Sequence, residues 1–143
     1  MFDKEFSLAI AACGWNFTGA GAPSIEQWSK QVEWDRFLAV VRRHRVEALA
    51  WQCIDQLGIA VPAAIANELS TDAQGIVGAN LRAAKEMVRL RDAFGEAGLA
   101  VLFVKGLTLS ALAYRNPFIK MACDVDILVD ARTIEKAGSL LSS

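Results

Sequence analysis

The sequence predicts an α+β fold in which a mostly helical N-terminal region precedes a strand–helix–strand–helix segment. Two observations support this prediction. Apolar residues recur at helical spacing as far as about residue 95, and after Gly98 the pattern changes to short apolar runs separated by turn residues. The change near Gly98 predicts two domains, a helical region at 1–97 and a second domain at 98–143.

Composition excludes several classes of protein. The 143 residues suffice for one domain or two small ones, and 54% apolar with 22% charged residues is typical of a globular protein. The net charge of −1 provides no general attraction for nucleic acid. No apolar run approaches the roughly 20 residues of a membrane helix, and the N-terminus lacks the pattern of a secretory signal.

The cysteine and histidine content limits the cellular compartment and the kinds of metal site that are expected. Cys13, Cys53 and Cys123 lie far apart without C-x-x-C spacing, which is typical of reduced thiols in a cytoplasmic protein. His44 is the only histidine, so multi-histidine metal sites are excluded.

The N-terminal region is predicted to begin with a helix at 3–13 and a loop at 14–23. Ser24 and Gln27 have the spacing of a capping box for a short helix that ends near Val32. Further helices are predicted at 34–41, 46–57, 62–70 and 72–94. Gly75 and Gly78 weaken the prediction for the start of the last one.

The second half is predicted from two apolar runs. Residues 99–104 are bounded by glycine and by Lys105-Gly106, which is typical of a buried strand. A helix at 107–114 and a second strand at 124–129 follow, and Asp130 or Thr133 is expected to cap a final helix.

Asp124 and Asp126 are the main candidates for chemistry. On a strand, residues i and i+2 point to the same face, with about 6–7 Å between them. Two carboxylates so placed suit Mg²⁺ or Mn²⁺, because Mg²⁺ is bound by one or two carboxylates together with substrate phosphates. The alternative is that both acids are solvated at a polar strand end.

Lys105-Gly106 forms a second candidate feature, between a strand and a helix. Glycine allows a ligand to approach the backbone, the helix N-terminus favours an anion, and Lys105 adds a positive charge. The alternative is an ordinary strand-to-helix turn. A phosphate site followed by a D-x-D pair is what nucleotidyl transfer needs, because the metal bridges phosphate oxygens and neutralises developing charge.

The stretch 101–130 resembles the uncharacterised nucleotidyltransferase family of the DNA polymerase beta-like superfamily. That family has an apolar strand ending in Lys-Gly, a helix with a tyrosine near its end, a basic residue and then Asp-apolar-Asp. The matching residues here are Lys105, Gly106, Tyr114, Lys120, Asp124 and Asp126. The helical region before the strand is also similar, so the resemblance covers most of 34–143.

The resemblance implies the first strand–helix–strand–helix of a nucleotidyltransferase fold, with an incomplete mixed sheet. It implies an enzyme that transfers a nucleoside monophosphate from an NTP to an unknown acceptor, a small molecule or protein rather than nucleic acid. Asp124 and Asp126 would hold Mg²⁺ (or Mn²⁺) and be catalytic. The residues expected to contact nucleotide or phosphate are Lys105, Gly106, Thr108 and Lys120.

The chain departs from the superfamily in two ways. Leu107 stands where a serine or glycine usually follows the glycine, so a phosphate-binding hydroxyl would have to come from Thr108 or Ser110. The superfamily also uses a third carboxylate on a later strand, whereas Glu135 is the only acid after Asp130. We therefore expect the front part of a longer protein, inactive by itself.

Three other functions remain open. A nucleotidyltransferase fold that has lost activity and serves as a binding or regulatory module agrees with both departures. Haloacid-dehalogenase-like phosphatases and sugar-nucleotide glycosyltransferases also use D-x-D. The phosphatases favour threonine or valine where this chain has Leu128, and in the glycosyltransferases an α/β half precedes the motif, whereas the upstream region here is helical.

Overall fold

The computed structural model describes residues 3–142 and divides into two compact units, Met1–Val77 and Gly78–Ser143. The division falls within one long helix, whereas the sequence predicts a domain boundary at residue 98; that boundary stays a prediction. The helices of the first unit are α1 (Lys4–Thr18), α2 (Ala22–Ser29), α3 (Trp34–His44), α4 (Glu47–Leu57) and the first part of α5 (Ala63–Glu96). The second unit continues with β1 (Val101–Val104), α6 (Gly106–Tyr114), β2 (Asp126–Val129), a 3-10 turn (Ala131–Thr133) and α7 (Ile134–Leu141).

The first unit is built around α1, which packs against α2, α3 and α4. Alanines at positions 9 and 12 are buried on α1 and allow neighbouring helices to approach closely. The larger side chains of this core are Leu8, Ile25, Phe37, Leu38, Val41, Ile54, Ile65 and Leu69.

Two buried or half-buried polar side chains connect α1 to its neighbours. The Glu5 carboxylate accepts a hydrogen bond of 2.9 Å from the Glu33 N–H at the start of α3. The Asn16 amide donates at 2.7 Å to the carbonyl oxygen of Leu49 on α4, and at the same distance to that of Ala12. These bonds fix where α3 and α4 lie along α1.

Several predicted helix bounds are wrong. α1 extends through Gly14 to Thr18, so the predicted loop at 14–23 is reduced to the residues around Gly19 and Gly21. α2 begins at Ala22 after Gly21 rather than at a capping box, and no side-chain cap bond forms there. The predicted helices at 62–70 and 72–94 are one helix, α5. A glycine inside a helix costs only about 1 kcal/mol, which burial of α5 side chains offsets.

The second unit contains a two-stranded antiparallel sheet. β1 pairs with β2 in the register Val101 with Val129, Leu102 with Leu128, Phe103 with Ile127 and Val104 with Asp126. One face of the sheet packs against the end of α5 and against α7, through Leu90, Phe94, Ala137 and Leu140. Leu102 and Leu128 lie on the other face and are each 59% exposed, as strand alternation requires.

The α+β fold class, a helical region followed by strand–helix–strand–helix, is confirmed. Both strands are shorter than predicted, and β2 begins at Asp126 instead of Asp124. The Asp130 carboxylate accepts from the Arg132 N–H and so caps the 3-10 turn rather than the final helix, and Thr133 at the N-cap of α7 forms no side-chain cap bond. None of the helices in residues 3–142 has the combined length and apolar character needed to span a bilayer.

Candidate functional site

The antiparallel register brings the two sequence motifs together. Val104 at the end of β1 pairs with Asp126 at the start of β2, so the Lys105-Gly106 turn adjoins the D-x-D stretch. The Lys105 Nζ lies 3.6 Å from Asp126 Oδ1, with the lysine side chain 72% exposed and the aspartate 34% exposed. A cation and a carboxylate from different motifs therefore face the same space.

Lys105 has an unusual backbone conformation, with φ of 58° and ψ of −155°. This region is occupied almost only by glycine and costs other residues about 1–3 kcal/mol. The strain lies at the residue that turns the chain from β1 into α6. Such strain persists only where the surrounding structure imposes it, and it often marks a functional site.

Gly106 begins α6 with φ of 42°, which again favours glycine. A Cβ at this position would lie 3.5 Å from the Ala122 Cβ and 3.7 Å from the Asp124 carbonyl oxygen. The N-terminus of α6 therefore lies beside the segment that precedes β2, and at these distances a Cβ would make ordinary van der Waals contact, so it is the positive φ that requires glycine here. The N–H groups in the first turn of α6 have no acceptor within the helix, and they suit an anion.

Asn80 is a residue of this region that the motif analysis missed. It is completely buried on α5. Its Nδ2 donates to the Lys120 carbonyl oxygen at 3.0 Å, and its Oδ1 accepts from the Ala122 N–H at 2.9 Å. A signal was present, because Asn80 lies four residues after Ile76 and three before Ala83 and so interrupts the predicted apolar stripe of the helix.

The predicted site residues divide into two groups. Lys105, Gly106, Asp124 and Asp126 line one small cavity of about 10 Å³, the space of roughly one water molecule. Ala83 and Met87 of α5 contribute to the same cavity. Thr108 on α6 is half-buried and Lys120 is exposed, and neither lines it.

The two carboxylates differ in position. Asp126 is the first residue of β2, whereas Asp124 lies in a bend before the strand and is exposed. The prediction that both project from one strand face is therefore wrong in its premise, although both line the same cavity.

The donor set fits a particular mode of metal binding. Within residues 3–142, no cluster of three or more acidic, histidine or cysteine side chains is placed to hold a metal ion. Two carboxylates match the chemistry of Mg²⁺, which keeps water ligands and takes its remaining oxygens from substrate phosphates, and the lysine suits those phosphates rather than the metal. The residues thus fit a metal that binds together with a phosphorylated ligand.

Comparison with known proteins identifies the family of the chain. Residues 30–143 match the profile of the family described as "Uncharacterised nucleotidyltransferase". The match includes both motifs, Asn80 and the whole of the second unit. No curated protein and no solved structure matches the chain. Because the profile covers most of its length, the chain belongs to the uncharacterised nucleotidyltransferase family.

Proposed function

We propose that the protein binds an NTP together with Mg²⁺ (or Mn²⁺) at Asp124 and Asp126 and transfers its nucleoside monophosphate to an acceptor. Family membership implies nucleotidyl transfer from an NTP. The observation that supports the location is the placement of Lys105 Nζ 3.6 Å from Asp126 Oδ1, at the junction of both motifs.

Each residue has a distinct part in this proposal. Asp124 and Asp126 provide hard oxygen ligands at the cavity. The N-terminus of α6 and the Lys105 ammonium, which lies 3.6 Å from Asp126 Oδ1, attract the phosphate oxygens. Gly106 provides the positive φ of 42° with which α6 begins beside this space.

The chain's own groups bind and orient the substrate. The bound cation would neutralise charge on the phosphates and polarise the α-phosphorus for in-line attack. Lys105 neutralises Asp126 when no ligand is present, and its exposed side chain can turn toward phosphate when a ligand binds. Thr108 and Lys120 are proposed only as more distant nucleotide contacts.

A binding module without turnover is the second candidate. Among the described residues, only two carboxylates adjoin the cavity, and the side chain that follows Gly106 is the buried Leu107 rather than a hydroxyl. In this second candidate, the 143 residues bind metal and nucleotide but do not catalyse transfer. A small-molecule or protein acceptor and a cytoplasmic location stay predictions.

Calorimetry with each NTP, in the presence and absence of Mg²⁺, tests the proposal. Wild type should release binding heat only when nucleotide and Mg²⁺ are both present, and Asp124→Asn and Asp126→Asn should abolish it. Asp92→Asn is the matched control, because Asp92 is exposed on α5 and forms an ion pair with its neighbour Arg91, away from the cavity. Absence of metal-dependent heat in wild type would exclude the proposed site.

Turnover by the 143 residues is measured separately, as pyrophosphate release. Nucleotide binding without pyrophosphate release would support a protein that binds nucleotide but does not catalyse transfer. Robust Mg²⁺-dependent nucleotide incorporation would show that the two carboxylates are sufficient for catalysis.

A further inference from the structure

We propose that Asn80 is a positioning residue, which holds the main chain at residues 120–122 so that Asp124 and Gly106 keep the separation needed to bind metal and nucleotide. The inference rests on the proposed function. Asn80 does not line the cavity, and its amide bonds to Lys120 and Ala122, so the proposed effect on binding acts through that segment.

The burial of Asn80 indicates a specific structural role, because a buried amide destabilises the fold unless it forms hydrogen bonds. Its side chain is completely buried, in a position where the helix stripe otherwise carries apolar residues. Burial of an amide without partners is unfavourable, and here the amide has one donated and one accepted hydrogen bond of good length. An apolar residue would leave the Lys120 carbonyl and the Ala122 N–H without this partner.

The pattern of the two bonds resembles strand pairing. In a parallel sheet, one residue donates to a carbonyl of the next strand and accepts from the N–H two residues further along that strand. The Asn80 amide does this with Lys120 and Ala122. It therefore holds the irregular segment between α6 and β2 against α5.

The held segment contacts both sides of the site. Ala122 is the residue whose Cβ would lie 3.5 Å from a Cβ at Gly106, and the Asp124 carbonyl lies 3.7 Å from the same point. Asp124 follows Ala122 by two residues and has no strand of its own to fix it. The hydrogen bond from the Ala122 N–H to Asn80 thus lies two residues before Asp124 in the chain.

The test compares Asn80→Ala, Asn80→Asp and a matched control, Asn16→Ala. Alanine leaves space for water, which reduces the risk of unfolding. Aspartate has the same shape and can still accept from Ala122 but cannot donate to the Lys120 carbonyl. Asn16→Ala removes two bonds of 2.7 Å within the first unit, so it controls for general loss of buried amide bonds.

Two measurements are made on each folded variant. Calorimetry gives the affinity for Mg²⁺ with nucleotide, and hydrogen exchange gives the protection of the Ala122 amide. We expect both Asn80 variants to bind about 10- to 100-fold more weakly, the usual effect of residues that orient metal ligands. The Ala122 amide should exchange at least about tenfold faster in Asn80→Ala, and it should remain better protected in Asn80→Asp than in Asn80→Ala.

Each outcome supports or excludes the positioning role of Asn80. Wild-type affinity in folded Asn80→Ala would overturn the positioning role while leaving the proposed function intact. An equal loss in Asn16→Ala would also overturn it, because general destabilisation would then explain the effect. If wild type itself shows no metal-dependent nucleotide binding, the proposed function fails, and the positioning role fails with it.

Discussion

Replacing Lys105 by glycine should stabilise the protein while impairing nucleotide binding. The backbone at Lys105 (φ 58°, ψ −155°) suits glycine, and relief of the strain is worth about 1–3 kcal/mol. Against this, glycine gives the unfolded chain more freedom, about 0.5–1 kcal/mol, and the exposed ion pair to Asp126 contributes about 0.2–1 kcal/mol. Central values leave a net gain in the free energy of unfolding of about 0.5–1 kcal/mol.

The comparison variant is Lys105→Gln, which removes the charge but retains a side chain in the strained conformation. It should be less stable than wild type by about 0.2–1 kcal/mol, because only the exposed ion pair is lost. Both variants should bind nucleotide with Mg²⁺ about 10- to 100-fold more weakly, since a hydrogen bond to a charged group is worth about 1.5–3 kcal/mol. Arg115→Gly is the control, because Arg115 is another non-glycine residue with positive φ in the second unit.

Urea unfolding and calorimetry provide the two measurements. All four tryptophans lie between residues 15 and 51, so their fluorescence follows the first unit only. Circular dichroism and amide exchange in β1 and β2 are therefore needed to follow the second unit. A glycine variant less stable than the glutamine variant would show that Lys105 stores no backbone strain. Unchanged nucleotide affinity in both would remove Lys105 from the phosphate site.

Three further predictions concern stability, thiol reactivity and the site glycine. A hydrogen bond shared with the Asp3 carboxyl group, followed by one donated by the Glu33 N–H, lowers the pKa of Glu5, whereas burial raises the pKa of Glu47. Glu5 thus stabilises the fold above the ordinary glutamate pKa and loses this effect as the pH falls, so Glu5→Gln should lower the melting temperature at pH 7. The stability linked to Glu47 is present at low pH and lost as the pH rises through its raised pKa, so Glu47→Gln should raise the melting temperature at pH 7. Both differences should shrink toward pH 3, and a constant difference across pH would contradict the assignment. Burial raises the pKa of Cys53 to about 12, so iodoacetamide at pH 8 should label the exposed Cys123 well before Cys53, as mass spectrometry of the peptides would show. Gly106→Ala should weaken nucleotide binding, because its φ of 42° strains an alanine at the N-terminus of α6; calorimetry showing wild-type affinity would exclude this contribution.

Much of the element order was predictable because it depends on local patterns. The run at 99–104 and the run that contains 126–129 are apolar and bounded by turn residues, so their conformation follows from neighbours in sequence. The bounds were less predictable. α5 continues through Gly75 and Gly78 because burial of its side chains outweighs the weak helix preference of glycine, and that burial involves residues distant in sequence.

The candidate site likewise combines features that the sequence predicts with features that only the structure shows. The Lys105-Gly106 and Asp124-Val125-Asp126 motifs could be recognised from residue type and spacing alone, since each motif is contiguous. Their adjacency follows from the antiparallel register, which pairs Val104 with Asp126 and which no local pattern specifies. The same holds for the small cavity between them, to which Met87 of α5 also contributes.

The sequence by itself determined the α+β class, the order of the elements and the membership of a nucleotidyltransferase family, because these depend on periodicity and contiguous motifs. Only the tertiary structure decided that Asp124 lies outside the strand, that Lys105 has a strained backbone, and that Asn80 holds the segment before the carboxylates. Each of these depends on contacts between residues far apart in the chain. Packing in the folded protein decides which amide is buried and which residue has a positive φ, and the sequence alone does not predict that packing.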